Sequence, residues 1–469
     1  MMPLILALLL AAAPPADRAV DAALASAGPG TRVGLVVVDE AGEEVIAVRA
    51  DDRFVPASNT KIFTTAAAFA TLDVAAADGG GGASVRLEGR DVVLAGHGDA
   101  RLSGAAGCTV DCLAELARAV AAKTRVVGDV IGDDTEFPDE RWPAGMSWNN
   151  QVGQYGTAIS ALSIDDNVVV LTVTARGIGE RPAIAGDTYY KVDNQVVTVP
   201  GGKAAIVATR TPGSDLLRVT GTIPSAGAPE TLRVGVDDPA HRAAWLLAAM
   251  LRANGVQVTG RLAVRHRPLA PGDDPETRGA APVPRPARAP VLARLVPPPL
   301  AEDLLHTNKV SQNLHAELLL RRVGAVRGSG SVADGRAAVT AMLDGAQVAR
   351  WTYDLADGSG MSNYNRITPR GTVAFLRWTQ SQPWGAAWRA TLPVGGIDGT
   401  LARRFKGTPL DGKLFAKTGT LNAANALSGF LVTAKGRTFT FSALANDMPG
   451  DASATGAVDK ALLAVAAAN

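Results

Sequence analysis

The chain has 469 residues, too many for one ordinary hydrophobic core, and its length predicts roughly three domains. Its 46 Lys and Arg stand against 45 Asp and Glu, and a formal charge of +1 gives nucleic acid or an anionic membrane surface nothing to hold. The two cysteines and five scattered histidines make no metal-ligand spacing, so a metal site is not expected.

Leu4 to Ala13 is an apolar run followed by Pro14, Pro15, Ala16 and Asp17, the pattern of a secretory signal peptide over residues 1–16. About ten apolar residues fall short of the roughly 20 that span a bilayer, and no later segment is long and apolar enough. The expectation is an exported protein of the periplasm or cell envelope, with at most peripheral membrane association. Ala19 to Ala27 then reads as a helix, and Arg32 to Val48 alternates as two strands around a turn at residues 40–43. Lys61 to Leu72, rich in Ala, Phe and Leu, reads as a buried helix with Ser58 at its N-terminus.

From Gly79 the texture becomes Gly-rich and strand-like, with Arg90 to Gly98 extended, a helix near Leu113 to Ala122 and a strand at Val126 to Ile131. Cys108 and Cys112 lie close enough for a local disulfide in an exported protein, a better reading than a redox or metal role. Strands follow at Asn167 to Ala175, Gln195 to Val199, Ala204 to Thr209, Leu216 to Thr222 and Leu232 to Val236, then an Ala-rich helix at Ala240 to Ala253. Pro268 to Pro299 is dense in proline and reads as an exposed connector. Beyond it come helices at Ser311 to Val323, Val332 to Gly345 and Pro369 to Gln380, and strands at Leu414 to Thr418, Ala426 to Thr433 and Thr438 to Ala445. The expected organisation is a discontinuous domain from 17–80 and 291–469, an inserted domain from 81–107 and 198–270, a nested domain over 108–197, and a connector over 271–290.

Three short motifs carry the chemistry: Ser58-Asn59-Thr60-Lys61, Ser311-Gln312-Asn313 and Lys417-Thr418-Gly419-Thr420. Residues i and i+3 of a helix share a face, so Ser58 and Lys61 pair a hydroxyl with an amine as nucleophile and base. The lysine must lose part of its proton affinity through burial or a neighbouring cation such as Lys417. The Ser311 hydroxyl can relay a proton, and the Asn313 amide can hold the backbone of an acyl donor. Lys417 follows an apolar strand, Gly419 lets a substrate approach the backbone, and Thr418 and Thr420 offer hydroxyls beside a carboxylate. The N–H groups of Ser58 and Thr420 would form an oxyanion hole. Taken alone, each motif is more simply a capping serine or a lysine near a strand end.

The order Ser-x-x-Lys, Ser-x-Asn, Lys-Thr-Gly, with 253 residues between Ser58 and Ser311, resembles the class C low-molecular-weight penicillin-binding proteins, the D-alanyl-D-alanine carboxypeptidase/endopeptidase family of serine-type peptidases. Gly96-His97-Gly98-Asp99, Asp357 to Ser362, Leu392 to Leu401 and Leu427 to Phe430 look familiar from the same family. The resemblance implies an α/β, mixed α+β, penicillin-binding and β-lactamase-like domain, its antiparallel sheet covered by helices, with β-rich domains inserted after the Ser58 helix. It also implies an acyl-enzyme on Ser58, with Lys61 as base and Ser311 and Lys417 assisting. Peptidoglycan stem peptides would be the substrates and β-lactams the covalent inhibitors, with no cofactor.

Asp357 and Asp398 sit in Gly-rich stretches that fit turns better than acid–base chemistry. Trp148 and Tyr155 correspond to aromatic residues of the family's pocket for the stem-peptide side chain. Between them this chain has Asn149, Asn150 and Gln151 where family members often carry an aspartate, which leaves either Asp165 or Asp166 to replace it or a weaker selectivity. The rival readings are a β-lactamase, against which the large insertion argues, and a catalytically weak wall-binding or penicillin-sensing scaffold, against which the complete motifs argue.

Overall fold

The computed structural model describes residues 15–279, 281, 283 and 289–469. The expected leader lies outside the described residues except for its last two, which open the Pro15–Ala25 helix. The chain divides into two compact units, 1–59 with 348–353 and 366–469, and 60–347 with 354–365.

The first unit is built on a five-stranded sheet in the order Leu414–Leu421, Ala424–Val432, Thr438–Asn446, Arg32–Val38, Glu44–Val48. Every pairing is antiparallel, so both chain ends meet in one ladder. The strands are nearly continuous apolar runs because both faces are covered. On one face Leu35, Val37, Phe439 and Phe441 join Val20, Leu462 and Val465 of the Pro15–Ala25 and Thr455–Ala468 helices. On the other, Val36 and Val38 meet Val373 of the Pro369–Gln380 helix, whose N-terminus is capped by the Thr368 hydroxyl.

In the second unit four helices, Lys61–Thr71, Leu300–Lys309, Asn313–Ala325 and Val332–Gly345, pack together. The Asn313–Ala325 helix is buried almost all round, which explains why its sequence shows so little polarity of one face over another. A five-stranded mixed sheet runs Leu262–Arg267, Val130–Pro138, Asp91–Ala95, Ser84–Glu88, Ala293–Arg294. The helices Leu113–Lys123 and Pro239–Ala253 bury Leu113, Leu116, Val120, Leu247 and Leu251 against it. Two three-stranded sheets share a further core of Val169, Leu171, Val196, Leu217, Val219 and Val234.

These pairings draw the inserted modules differently from the expected borders. The Leu113–Lys123 helix belongs with the 84–138 sheet, because its apolar face is buried there. Strands Ala205–Thr209, Leu216–Pro224 and Glu230–Gly235 belong with 168–199, because they pair with its strands. Strand propensity announces a strand and is silent about its partner. Most of the connector's described residues are exposed, as its composition suggests. Its first half folds into a turn and a short helix tied by Arg267–Asp273 at 2.8 Å and by an Arg278–Asp334 ion pair. Cys108 and Cys112 are disulfide-bonded, with Cys112 just ahead of the Leu113–Lys123 helix. Among the described residues no helix is long and apolar enough to cross a membrane.

Candidate active site

Each unit carries its own set of candidate residues. In the first, Ser58 is half-buried in a 3-10 turn, Ala57–Thr60, that runs directly into the helix beginning at Lys61. Ala57 holds a left-handed backbone, φ +48°, which costs an alanine on the order of 1 kcal/mol and is tolerated only where the surroundings over-determine it. Two contacts do so. The Asn59 side-chain amide donates to the Lys417 carbonyl at 2.9 Å. A Cβ on Gly419 would lie 2.7 Å from the Pro56 carbonyl oxygen and 3.1 Å from the Ser58 nitrogen. Gly419 therefore admits the protein's own serine turn against the strand, where the sequence suggested room for a substrate.

The Leu414–Leu421 strand is an edge of its sheet. Its first half is covered, since the Ala416 N–H donates to Pro393 O at 3.0 Å and the Gly395 N–H to Leu414 O at 2.8 Å. Backbone groups alternate along a strand, so those of Thr418 and Thr420 turn to the same outer side as those of Ala416. Lys417 is fully buried and its Nζ donates to Thr418 O at 3.0 Å. The Thr418 hydroxyl bonds that of Thr400 at 2.7 Å. Asp398 accepts the Val394 N–H at 2.9 Å, the turn role its composition suggested.

In the second unit Lys61 is completely buried. Burial lowers its pKa from 10.5 to about 7, against the pull of Asp357 and Glu317, which favour the charged form. Lys61 Nζ donates to Asn313 Oδ1 at 2.6 Å and to the Ser359 carbonyl at 2.7 Å. A neutral amine has two hydrogens, and these two acceptors direct them while the lone pair takes a third direction. Asn313 Nδ2 donates to Tyr155 O at 2.9 Å, so the amide expected to bind an acyl donor acts first as an internal brace for Lys61. Ser311 precedes the Asn313–Ala325 helix in a left-handed conformation, φ +63°, and the helix cap is Gln312, whose side chain accepts from the Leu314 N–H.

The Asp357–Ser362 stretch is a turn, as its composition suggested. The Asp357 carboxylate accepts from the Gly360 and Ser362 N–H groups at 2.9 and 2.6 Å and from Asn365 Nδ2 at 2.7 Å. Sequence reasoning missed Glu317, which is 2% exposed in mid-helix. Its Oε1 accepts the N–H groups of Gly358 and Ser359 at 3.1 and 2.9 Å. It lies one turn beyond Asn313 on the same helix, and no local pattern in the sequence singles it out.

Trp148 and Tyr155 sit on two short 3-10 turns and are 78% and 63% exposed. Exposed Tyr364, also unforeseen, lies near the same segment, since a Cβ on Gly145 would come within 2.7 Å of its ring. Asp165 and Asp166 each have hydrogen-bond partners of their own. Asp165 accepts from the Ser103 hydroxyl and Gly104 N–H, and Asp166 accepts from His315 Nε2 at 2.8 Å. Both line a cavity of about 610 Å³ with Arg101, Glu302, His306 and Lys309. His315 stands between Asp166 and Asp303; burial alone would push its pKa down, but the two carboxylates raise it to about 10, so it is a buried cation.

An antiparallel sheet under helices, β-rich insertions, and a serine, a buried lysine and a Lys-Thr-Gly edge strand define the penicillin-binding, β-lactamase-like class of mixed α/β fold. The crystal structure of penicillin binding protein 4 (dacB) from Haemophilus influenzae matches with a TM-score of 0.79 over 94% of this chain and 97% of that one, at 20% identity, and speaks to the fold alone. Residues 16–468 match the D-Ala-D-Ala carboxypeptidase 3 (S13) family, and the chain belongs to it. A D-alanyl-D-alanine carboxypeptidase of Actinomadura sp. (strain R39) is 35% identical over 454 residues, 90% of this chain and 79% of the relative. The D-alanyl-D-alanine carboxypeptidase DacB of Haemophilus influenzae is 25% identical over 428 residues, 88% and 85% of the two chains. The protein is a serine-type D-Ala-D-Ala carboxypeptidase.

Proposed function

We propose that Ser58 is the nucleophile and Lys61 its base, acting on the penultimate D-Ala carbonyl of peptidoglycan stem peptides. The observation that carries this is the Lys61 amine, fully buried, with a pKa of about 7 and its hydrogens directed to Asn313 and Ser359. Such an amine is about half neutral at pH 7, the condition for general-base work. Ser58 Oγ attacks the carbonyl carbon while its proton passes to Lys61 Nζ, and the N–H groups of Ser58 and Thr420 hold the oxyanion. Ser311 relays a proton to the leaving nitrogen, releasing D-Ala or a cross-linked neighbour. Water then hydrolyses the ester. Lys417, Thr418 and Thr420 hold the C-terminal carboxylate, and the close Gly419 contact keeps the serine turn against that strand.

β-Lactams, carrying a carboxylate beside a strained amide, would acylate the same serine. The substrate lies in the cell envelope, and the Cys108–Cys112 disulfide supports an oxidising, exported location. Trp148 and Tyr155 would wall the side-chain pocket; with Asp165 and Asp166 engaged elsewhere, the reading favoured is weak selectivity for a stem-peptide amino group. Turnover of stem peptides with and without that amino group should be comparable, and strong discrimination would overturn this part. The main test is an intact-mass time course with benzylpenicillin, peptide mapping of the adduct, and assay of D-Ala release. An adduct on Ser58 with D-Ala release, both absent in Ser58→Ala, is the expected result. An adduct elsewhere, or full activity in the variant, would overturn the assignment.

A further inference from the structure

We propose that Glu317 is a positioning residue for the reaction, holding the Gly358–Ser359 backbone so that the Ser359 carbonyl directs Lys61 Nζ and placing a negative charge beneath that amine. The inference rests on the reading of Lys61 as the base. Glu317 lies one helical turn beyond Asn313, so both project from the same face of the Asn313–Ala325 helix. One carboxylate oxygen accepts two consecutive backbone N–H groups, of Gly358 at 3.1 Å and Ser359 at 2.9 Å. The next carbonyl, of Ser359, accepts from Lys61 Nζ at 2.7 Å. From the other side the Thr64 hydroxyl donates to Gly358 O at 2.8 Å. The 358–359 peptide is thereby clamped between the Lys61–Thr71 and Asn313–Ala325 helices, and Lys61 is aimed by the clamp.

Charge adds to geometry. Asp357 and Glu317 both act as charges on Lys61, and Arg321 acts on Glu317 from one turn further along its helix, 3.5 Å from Oε2. Arg321 Nη2 also donates to Glu140 O at 2.7 Å. Asp357 is neutralised in part by its own turn N–H groups and Asn365. Burial, and after it the charge of Asp357, holds the Glu317 carboxyl above the ordinary carboxylate range. The proton on Lys61 is therefore shared electrostatically with a buried carboxyl set, and its titration belongs to the set.

The test is the pH profile of benzylpenicillin acylation in the full chain, comparing wild type, Glu317→Gln and Glu317→Ala, each checked for folding by circular dichroism. A glutamine oxygen can still accept both N–H groups but carries no charge. Glu317→Gln should keep the plateau rate within a few-fold while its acid limb moves down by roughly half a pH unit or more, because charged Lys61 has lost a stabilising anion. Glu317→Ala should lose at least about tenfold in plateau rate as the clamp opens. A double variant, Glu317→Gln with Arg321→Gln, leaves no unpaired guanidinium and replaces the single variant should that fail to fold; its limb should move the same way. Wild-type limbs in the glutamine variants together with a wild-type rate in Glu317→Ala would overturn the proposal. Wild-type protein that is not acylated on Ser58 would instead overturn the functional reading beneath it.

Discussion

Lowering the pH should switch off acylation of Ser58 along the titration of Lys61. With a pKa of about 7, the amine is roughly nine-tenths neutral at pH 8, one-tenth at pH 6 and one-hundredth at pH 5. The single-turnover acylation rate with benzylpenicillin should therefore fall about 100-fold from its plateau to pH 5, measured by quenching and intact mass. Lys61→Arg keeps the positive charge but cannot supply a neutral base, and should lose about 1000-fold or more. A profile that is flat from pH 5 to 8, or a rate that rises as pH falls, would refute the reasoning.

The same displacement has a stability counterpart of definite sign. The folded value of about 7 lies below the ordinary 10.5, so between those pH values the unfolded chain holds more protons and stability from this group rises with pH. The full gap is worth about 5 kcal/mol, present as a cost below pH 7 and relieved by pH 10.5. Lys61→Met should lack that rise, which thermal unfolding of the two proteins across pH 7 to 9 would read.

Gly419→Ala should reduce Ser58 acylation by about 100-fold or more, because its Cβ would force the Pro56–Ser58 turn away from the strand; acylation and melting temperature together check this, with a stability loss of about 1–3 kcal/mol. His315→Gln should destabilise the protein toward the lower end of about 3–5 kcal/mol near pH 6, since Asp303 and half-exposed Asp166 lose their shared cation. The folded pKa of His315, about 10, lies above the ordinary 6.5, so its contribution is fully present below pH 6.5 and is lost as pH rises through 10. Urea midpoints at pH 6 and pH 9.5 should therefore differ between wild type and variant by less at the higher pH.

Much of the fold was legible because local pattern and burial agreed. The strands around residues 32–48 and 414–445 are near-continuous apolar runs, and the structure sets them in one antiparallel sheet. The Leu300–Lys309 helix, directly after three prolines, and the Ala-rich Thr455–Ala468 helix went unread, as did the short strands Ser84–Glu88 and Ala183–Gly186. Module membership was not legible at all, since the Leu113–Lys123 helix and the 205–235 strands reveal their partners only when their apolar faces are buried. At the site the three motifs were readable, whereas Glu317 was not. A glutamate within a helix is ordinarily a surface residue, and nothing local says that this one meets the backbone of residues 358–359.

By itself, then, the chain's sequence determined which candidate groups exist and in what order: a serine hydroxyl, a lysine, a second serine, an amide and a Lys-Thr-Gly strand. Those are chemical identities, and spacing along the backbone is enough to reveal them. Tertiary structure alone decided what each group can do. The Lys61 pKa falls to about 7 because helices and the 357–362 turn exclude water from it, Asn313 and Ser359 fix its direction, and Gly419 is needed because the Pro56–Ser58 backbone comes within contact distance. Desolvation and close approach are properties of what surrounds a residue, and those neighbours are brought together from segments up to some 300 positions apart.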